Sequence, residues 1–431
     1  MSAELGFRFV VRHAGTYRQD LDGFEASASD AWEAGDEAHE AFCSQLSTMV
    51  SDEQNFKIAL DHLRRYGGRA PGPDGQRLVD IDRIEAWTLA RELRDRLRQG
   101  SYARGPLRRC RVPKRLGSSE RRTIWVQNLE DRVVARGAAQ ILVPLLDRAI
   151  DDRVCSWRRR GTQHALAYAA CQTLRENRFF WITEDLRNAF DEVPRSRLGD
   201  IVRHCIPNDE FCDFIRDQSS APTRRGILQG SPLSPALLDL YLSHVLHRRW
   251  RRGNDRPPLF SYVDDLWIGC RPDENTAAIY EQLVSAIQSA GMHAKLGAAR
   301  AITDIRTSSV TWLGYRVQLK NEELRIRSAF FTPGSAVRRQ QNHEHLVAKF
   351  AKLHERPLDQ RDPNVVIRGI IGYLAPTLPF EDPHRIYNSI VAAAFEGGFG
   401  EIWSFDEMRQ HWGALHDRWL CRLGDAMDST R

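Results

Sequence analysis

The stretch LFSYVDDLWIG, residues 259–269, places two adjacent carboxylates between two short apolar and aromatic runs. Runs of this length are typical of buried strands, and a short polar step between two of them is typical of a hairpin. Because a buried strand ends at the rim of a hydrophobic core, Asp264 and Asp265 are expected at such a rim. An Asp-Asp pair alone is weak support for function, since most such pairs lie at solvated hairpin tips.

A second carboxylate follows another apolar run earlier in the chain. The stretch FFWITED, residues 179–185, predicts a short strand that leads into Asp185. Carboxylates gathered at strand ends can hold hard divalent cations through oxygen. Two such cations ~3.5–4 Å apart are suited to in-line phosphoryl displacement. The two acidic sites therefore raise phosphoryl transfer as a hypothesis.

The remaining sequence predicts a mixture of helices and short strands. Helical periodicity, turn residues and Gly or Pro breaks predict a helix that starts at Ser29-Asp30, helices over 51–66, 80–98, 128–149, 234–250 and 275–290, a basic hairpin over 107–126, strands over 310–317 and 324–326, and mainly helical structure from about 335. The segment GGRAPGPDG, residues 67–75, predicts a loop.

Charge is distributed unevenly along the 431 residues. Residues 1–55 contain three Arg and eleven acidic residues, which give a net charge of −8. Because the whole chain has a net charge of +5, the remaining residues have a net charge of +13. Residues 94–122 alone contain eleven basic residues and two acidic ones. A basic body with a separate acidic segment suggests a polyanionic partner, with a solvated Arg-rich surface as the alternative.

Other classes of protein are disfavoured. The eight cysteines are scattered and form no CxxC pair, which argues against a zinc ribbon or a disulfide framework. No run reaches the ~18 apolar residues of a membrane span, and the first residues lack a signal-peptide profile. We therefore expect a cytoplasmic protein with no membrane partner.

Six segments, in this order along the chain, together resemble the motifs of reverse transcriptases. They are VPK with RRTI in the basic hairpin (112–124), Ser156 to His164, DLRNAFD (185–191), GILQGSPLSP (226–235, with Leu228 where Pro is usual), YVDD (262–265) and WLGY (312–315). The resemblance covers residues 55–330, and residues 331–431 more loosely.

The resemblance implies an α+β fold of the right-hand polymerase type. It implies a helical acidic N-terminal extension (1–54), fingers (55–178), a palm with an antiparallel sheet (179–330, interleaved with fingers elements) and a helical thumb (331–431). The extension is expected to be dispensable for chemistry. It would pack on the basic body, contact another protomer or compete with RNA for a basic groove.

The resemblance also implies roles for individual residues. Asp185, Asp264 and Asp265 would be catalytic and, with the Leu186 carbonyl, would hold two Mg²⁺ ions. The deoxynucleoside triphosphate would be bound by Lys114, Arg121, Arg122, Phe190, Gln229 and Gly230. Phe190 would exclude a 2′-hydroxyl, and Arg121 and Arg122 are near-equal candidates because the hairpin register is uncertain by one.

Further residues are expected to contact nucleic acid. They are Arg108, Arg109, Arg111, Arg158, Arg159, Arg160, Trp312 and Gly314, with Tyr102, Trp157 and Trp250 as possible stacking residues. Family enzymes usually carry a Lys near the position of Arg300, and His293 and Lys295 lie nearby.

The implied activity is RNA-templated DNA synthesis on a dedicated structured RNA, with deoxynucleotides as substrates and DNA as product. The segments GPDG (72–75), SPLSP (231–235) and GYLAP (372–376) resemble group II intron-type bacterial enzymes and domesticated defence-associated relatives. The absence of a nuclease-type Cys/His cluster and of further domains favours the antiphage type. A maturase acting as a splicing cofactor, an RNA-dependent RNA polymerase, a terminal transferase mode and a homo-oligomer remain open.

Overall fold

A computed structural model describes residues 13–66, 70–113, 121–157, 160–253, 256–331, 334–355 and 361–428. The helices are α1 (His13–Glu33), α2 (Asp36–Cys43), α3 (Leu46–Val50), α4 (Glu53–Tyr66), α5 (Arg83–Arg98), α6 (Leu129–Leu145), α7 (Thr162–Glu176), α8 (Ala189–Glu192), α9 (Arg195–Cys205), α10 (Asp209–Ser219), α11 (Ser234–Leu242), α12 (Arg248–Arg251), α13 (Thr276–Ser289), α14 (Ala298–Ala301), α15 (Ala336–Ala351), α16 (Asn364–Leu374), α17 (Pro383–Glu396) and α18 (Phe405–Asp428).

The strands form three antiparallel sheets among the described residues. They are β1 (Arg108–Pro113), β2 (Arg121–Val126), β3 (Phe180–Asp185), β4 (Leu259–Tyr262), β5 (Asp265–Cys270), β6 (Ile302–Asp304), β7 (Val310–Trp312), β8 (Tyr315–Lys320) and β9 (Glu323–Ser328). The predicted combination of helices with antiparallel sheets is confirmed. No helix within the described ranges is long and apolar enough to cross a membrane.

The central sheet has the strand order β4-β5-β3-β6. In this sheet β3 pairs with β5 so that Asp185 lies opposite Asp265, and β4 pairs with β5 so that Tyr262 lies opposite Asp265. All three residues therefore share one end of the sheet. The two strands predicted on either side of Val263 are confirmed.

The two faces of the central sheet pack against different cores. Side chains alternate along a strand, so Ile182 and Leu266 enter the large core that also contains helices α11 and α13. Trp181 and Trp267 point to the other face, where they join Trp312 of β7 and the helix α7. The ring centroids of the three tryptophans lie 5.3, 6.0 and 6.3 Å apart. Both faces are thus buried, which accounts for the apolar character of β3 and β5.

The strand predicted over 310–317 is wrong. Leu313 and Gly314 adopt φ values of +49° and +83°, which lie in the left-handed region and turn the chain between β7 and β8. Strands β7 and β8 therefore form a three-stranded sheet with β9, in the order β7-β8-β9, where the sequence predicted one pair of strands. The apolar pattern continues across the turn, so periodicity alone did not reveal it.

The C-terminal helices α15 to α18 have a core of their own, as the helical pattern from about residue 335 predicts. Phe350, Ile371 and Trp412 are fully buried in it. The long helix α18 then leaves this core and packs along α7, where Trp419 joins the aromatic core behind the central sheet. The C-terminal helices are therefore tied to the sheet by α18.

The described part of the acidic N-terminal segment packs into the main core and does not form a core of its own. Phe24, Phe42 and Leu46 are buried in the same core as Leu142 of α6, and the Phe24 and Phe42 rings are 5.6 Å apart. Asn208 also donates a hydrogen bond to the Cys43 carbonyl at 2.8 Å. Of the three expected arrangements, packing on the basic body of the chain is the one observed. Removing residues 1–50 would remove part of the main core.

The predicted start of this first helix is also wrong. Ser29 and Asp30 lie inside α1, and a second helix begins at Asp36 after Gly35, which has a φ of +104°. Among the side chains that the structure describes in helices α1 and α2, most acidic ones are exposed, and Glu33 forms an ion pair with Arg148. The negative net charge therefore marks the solvent face of an integral part of the fold.

Phe42→Ala should lower the free energy of unfolding by about 3–5 kcal/mol, because a buried aromatic ring is replaced by a cavity. Denaturant unfolding followed by circular dichroism measures this. Glu40→Ala, an exposed position on the same helix, is the control and should change stability by less than about 0.5 kcal/mol. Equal effects of the two substitutions would show that α2 is not part of the core.

Candidate active site

A tight turn links β4 to β5 and carries the first acidic pair. Only Val263 and Asp264 lie between the paired residues Tyr262 and Asp265. Val263 adopts a φ of +56°, which is unfavourable for a β-branched residue. Such strain persists only where the surroundings enforce it, and it is found most often at functional sites. Here the two paired strands enforce it.

Asp185 is held beside this turn by backbone contacts. Its neighbour Leu186 is buried and donates an amide hydrogen bond to the Asp264 carbonyl at 3.0 Å. The register places the Asp185 and Asp265 side chains on the same face of the sheet. The structure thus brings together the three carboxylates that the sequence singled out, with Leu186 beside them.

The three carboxylates repel one another. Burial, followed by the charge of Asp185, raises the pKa of Asp264, while the charges of Lys295 and Arg122 oppose the shift. Burial, followed by the charges of Asp264 and Asp185, raises the pKa of Asp265 to about 7, again against Lys295. The site therefore carries more negative charge than its protein surroundings neutralise.

Lys295 is the cation that contacts this cluster. Its ammonium forms an ion pair with the Asp185 carboxylate. The sequence placed such a cation near Arg300, but Arg300 is exposed at the end of α14 and Lys295 is the residue at the carboxylates. In the sequence, the signal for Lys295 was that it is a lysine within a segment rich in Gly and Ala, close to Arg300.

The donor chemistry at this site suits a hard divalent cation. Carboxylate oxygens are the ligands that Mg²⁺ prefers. Burial and then the neighbouring carboxylates raise the pKa of Asp264 and Asp265, and a bound cation would oppose both effects. Across the part of the chain that the structure describes, no three His, Cys, Asp or Glu side chains are close enough to enclose a metal ion. The carboxylates would have to close around one.

The segment 226–230 lies against the helix that follows Asp185. The Ile227 amide donates to the Phe190 carbonyl at 2.8 Å, and Phe190 is half-buried beside the main core. Gly226 has a φ of +88°, and a Cβ there would lie 2.6 Å from the Asp191 carbonyl oxygen. Only glycine permits this approach, so the close packing of α8 on this segment depends on Gly226.

The basic hairpin β1-β2 reaches the same segment from the other side. The Trp125 amide donates to the Gln229 carbonyl at 3.1 Å, and a Cβ on Gly230 would lie 2.8 Å from Ile124. Gln229 is half-buried and Gly230 is exposed. Phe190, through Ile227, and the hairpin, through Trp125, are thus both attached to the segment that carries Gln229 and Gly230.

The hairpin register separates the two candidate arginines. Arg122 pairs with Val112 and lies on the same face as Ile124, the residue that contacts Gly230. Arg121 pairs with Pro113 and lies on the opposite face. The charge of Arg122 also acts on Asp264. Arg122 is therefore the arginine directed to the acidic cluster, and Lys114 lies outside the described residues.

The family described as reverse transcriptase (RNA-dependent DNA polymerase) matches residues 112–317. The chain contains a reverse transcriptase domain. A 155-residue stretch is 27% identical to Protein P of woodchuck hepatitis B virus (isolate 8), over 35% of this chain and 15% of that protein. The chain thus corresponds to a small part of the viral protein.

Solved structures resemble the chain more distantly. Telomerase from Candida albicans in complex with a TWJ fragment of telomeric RNA has a TM-score of 0.41 at 13% identity, over 72% of this chain and 61% of that chain. Apo telomerase from Candida tropicalis has a TM-score of 0.40 at 11% identity, over 73% of this chain and 66% of that chain.

The reverse transcriptase domain contains the three carboxylates, Phe190 and Arg122. Three predicted nucleic-acid contacts, Arg108, Arg109 and Arg111, lie just before its matched start and are exposed on β1. Arg108 donates to the Pro71 carbonyl at 2.5 Å, and the Arg109 guanidinium lies 6.0 Å from the Trp125 ring centroid. These three arginines stay accessible to solvent, and their role in binding nucleic acid stays a prediction.

Arg160 has a structural use inside the domain. Its guanidinium donates to the carbonyls of Asp151, Asp152 and Val154 at 3.0–3.1 Å. These bonds shape the loop that pairs with β4 through Val154 and Ser261. The arrangement gives Arg160 a structural task besides any contact with nucleic acid. Arg158 and Arg159 lie outside the described residues.

The prediction that Trp312 contacts nucleic acid is wrong. Its ring is only 3% exposed and packs between the strands of two sheets. Gly314, next in the turn, is exposed, and its carbonyl accepts a hydrogen bond from Tyr373. The apolar pattern of WLGY is satisfied by the core, and only the backbone of the turn faces outward.

The possible stacking role of Trp157 and Trp250 is likewise wrong, whereas Tyr102 is half-buried and its stacking stays a prediction. The Tyr102 hydroxyl donates to Asp131 at 2.6 Å, the Trp157 indole to Asp147 at 2.6 Å, and the Trp250 indole to the Pro257 carbonyl at 2.8 Å. Trp157 and Trp250 are buried. These aromatic residues pack inside the protein although arginines lie near them in the sequence, and the polar group of each ring has a hydrogen-bond partner within the protein.

Asp265→Asn should stabilise the metal-free protein above neutral pH. The folded pKa of about 7 lies above the ~3.9 of an unfolded Asp, so the folded state holds this proton more tightly. Wild-type stability should therefore fall between about pH 4 and pH 7, and the variant should lack this contribution. Denaturant unfolding with EDTA across this range measures it.

Asp273→Asn removes a charge from an exposed site and is the control. The interpretation requires a flatter stability profile for Asp265→Asn than for this control. Identical profiles for the two variants would contradict the raised pKa of Asp265.

Proposed function

We propose that the protein is an RNA-directed DNA polymerase that extends a primer with deoxynucleotides. The observation that carries this proposal is the convergence of Asp185, Asp264 and Asp265 at one end of the central sheet, within a reverse transcriptase domain. A cluster of carboxylates between paired strands, with unrelieved negative charge, is suited to phosphoryl transfer. Burial and, after it, mutual repulsion raise the pKa of Asp264 and Asp265, an arrangement that costs stability and that a bound cation would offset.

The cofactor of this proposal is a pair of Mg²⁺ ions. Asp185, Asp264 and Asp265, with the Leu186 carbonyl, would hold them. When bound, Mg²⁺ supplies positive charge that activates the attacking hydroxyl and neutralises the triphosphate. The protein fixes the carboxylates by strand pairing, and Lys295 reduces their repulsion.

Arg122, together with Lys114, would bind the triphosphate. Arg122 lies on the hairpin face directed to segment 226–230 and acts electrostatically on Asp264. A guanidinium in this place is well suited to phosphate oxygens, which it binds through charge-assisted hydrogen bonds. Gln229 and Gly230, between this hairpin and α8, would lie against the nascent base pair.

Phe190 would select the sugar of the incoming nucleotide. It is half-buried at the start of α8, beside the backbone of segment 226–230 and five residues after Asp185. A ring beneath the sugar leaves no space for a 2′-hydroxyl and so favours deoxynucleotides. This placement favours a DNA product over an RNA product.

The three expected parts of a right-hand polymerase would map onto the observed layers. The basic hairpin with Arg108, Arg109 and Arg111 belongs to the fingers, the central sheet is the palm, and α15 to α18 form the thumb. The Gly314 turn, tied to the C-terminal helices by Tyr373, would contact the primer backbone. Template and product would then lie across the arginines of β1.

The template would be a dedicated structured RNA, and the biological role would be antiphage defence. These finer proposals rest on the sequence resemblance to domesticated bacterial enzymes and on the basic charge outside residues 1–55. Sequencing nucleic acid that co-purifies with the protein tests them. Recovery of one structured non-coding RNA supports a dedicated template, whereas recovery of intron RNA points to a maturase.

Asp264→Ala with Asp265→Ala should abolish primer extension, by about a thousandfold or more, because transition-state stabilisation is lost. RNA binding should persist, since phosphate contacts lie elsewhere. Extension with Mg²⁺ and deoxynucleotides, alongside a filter-binding assay, measures both. The control is Asp273→Ala at an exposed carboxylate. Undiminished synthesis by the double variant would end the polymerase proposal.

Arg122→Ala should raise KM for deoxynucleotides by about tenfold or more, because a charge-assisted bond to phosphate is worth roughly 1.5–3 kcal/mol. Arg121→Ala is the matched control, since it removes the same charge from the opposite face of β2. Steady-state kinetics of single-nucleotide incorporation compares them. A larger effect at Arg121 would mean that the opposite face binds the nucleotide.

Phe190→Ala should weaken discrimination against ribonucleotides, because the space under the sugar is opened. The ratio of kcat/KM for a deoxynucleotide to that for the matching ribonucleotide measures this. Phe190→Tyr keeps the ring and should preserve the ratio. If the alanine variant rejects ribonucleotides as well as wild type does, the sugar is selected elsewhere.

A further inference from the structure

We propose that Glu184 is a positioning residue that places Lys295 on the catalytic carboxylates. Glu184 precedes Asp185 on β3, and its side chain is buried with only 2% of its surface exposed. The proposal rests on the proposed function, because it assigns Glu184 a task in the same site. The inference comes from the hydrogen bonds that converge on this single carboxylate.

One oxygen of Glu184 collects three backbone amides. Oε1 accepts from Asp185 at 2.9 Å, from Lys295 at 2.9 Å and from Leu296 at 2.8 Å. The other oxygen, Oε2, accepts from the Tyr280 hydroxyl of α13 at 2.7 Å. Hydrogen bonds to an ionised acceptor are about twice as strong as neutral ones. The carboxylate therefore fastens the backbone at 295–296 to the end of β3.

Alternation along β3 explains how one strand serves both purposes. Asp185 shares a face with Asp265, so Glu184 points to the opposite face, toward α13 and the main core. A carboxylate on this face cannot join the acidic cluster directly. It can act on the cluster only through the segment whose amides it holds.

Residues 293–296 are attached at several points to β3 and to the residues that directly follow it. The Arg187 amide donates to the His293 carbonyl at 2.8 Å, and Leu186 pairs with Ala294 in an antiparallel bridge. With the two amides bound to Glu184, residues 293–296 run alongside 184–187. The Lys295 side chain leaves this backbone on the side of Asp185, with which it forms its ion pair.

The expected consequence is a specific loss of catalytic rate. Without the Glu184 acceptor, the Lys295 and Leu296 amides would lose the hydrogen bonds that hold residues 295–296 to the end of β3, and the segment would move to find other partners. Lys295 would then leave the carboxylates, while the nucleotide contacts of Arg122 on β2 would remain. We expect kcat to fall much more than KM for the nucleotide changes.

A double-mutant cycle between Glu184→Ala and Lys295→Met tests this coupling in the full-length protein. If Glu184 acts through Lys295, Glu184→Ala should lower kcat by about tenfold alone and by less than about twofold in the Lys295→Met background. Multiplicative losses, with each substitution acting independently, would overturn the proposal. An unchanged kcat for Glu184→Ala would also overturn it.

Two further variants guard against a general loss of stability. Glu184→Gln keeps an acceptor oxygen at the same place and should recover most of the rate, and Glu184→Met, which fills a similar volume without an acceptor oxygen, replaces Glu184→Ala in the cycle if that variant does not fold. Glu381→Ala removes another buried carboxylate, which accepts from the Ser328 amide at 2.8 Å far along the chain. It should lower the unfolding midpoint without any coupling to Lys295→Met.

Amide hydrogen exchange gives a readout that does not depend on catalysis. Glu184→Ala or Glu184→Met should speed exchange at the Lys295 and Leu296 amides by about tenfold or more relative to amides of α13, whereas Glu184→Gln should change it little. Unchanged protection at both amides would overturn the proposal. If the wild-type protein shows no primer extension, the proposed function fails, and the exchange result alone decides whether Glu184 positions this segment.

Discussion

The pairing of Asp185 with Asp265 across β3 and β5 is the constraint on which the candidate site depends. Two acidic side chains opposite each other on one face are unfavourable by themselves. The register is nevertheless fixed, because a slip of one residue would turn Trp181 and Ile182 to the wrong faces of the sheet. Burial of apolar side chains on both faces thus holds carboxylates in a place that repulsion alone would prevent.

The surroundings of this pairing are rigid for the same reason. Three tryptophans behind the sheet and the helical core in front of it leave β3 and β5 no alternative packing. The strained φ of Val263 is tolerated because both strands that flank the turn are paired. Backbone hydrogen bonds attach segment 226–230 to α8 and segment 293–296 to the end of β3. These loops, which carry the candidate site residues Gln229, Gly230 and Lys295, are therefore held in place by the sheet.

The charge of the chain has a structural explanation as well as a functional one. The acidic N-terminal segment is negative on its solvent side and apolar on the side that enters the main core. Arg148 and Arg160 serve ion pairs and loop carbonyls, whereas the arginines of β1 and β2 stay exposed around segment 226–230. The hairpin therefore offers exposed basic side chains to a polyanion, and Arg122 on it lies close enough to act on Asp264.

The sequence by itself was enough to predict the strands around Asp264-Asp265 and before Asp185, because apolar runs, polar turns and acidic strand ends are local patterns. It also predicted the hairpin that contains Arg121 and Arg122. Register is not local, so only the strand pairing decided that Arg122 faces the acidic cluster. Burial is not local either, and Trp312, Trp157 and Trp250 proved to be core residues although their neighbours suggested contacts with nucleic acid. The tasks of Lys295 and Glu184 depend on backbone that returns to β3 more than a hundred residues later, and no pattern within either segment records that meeting.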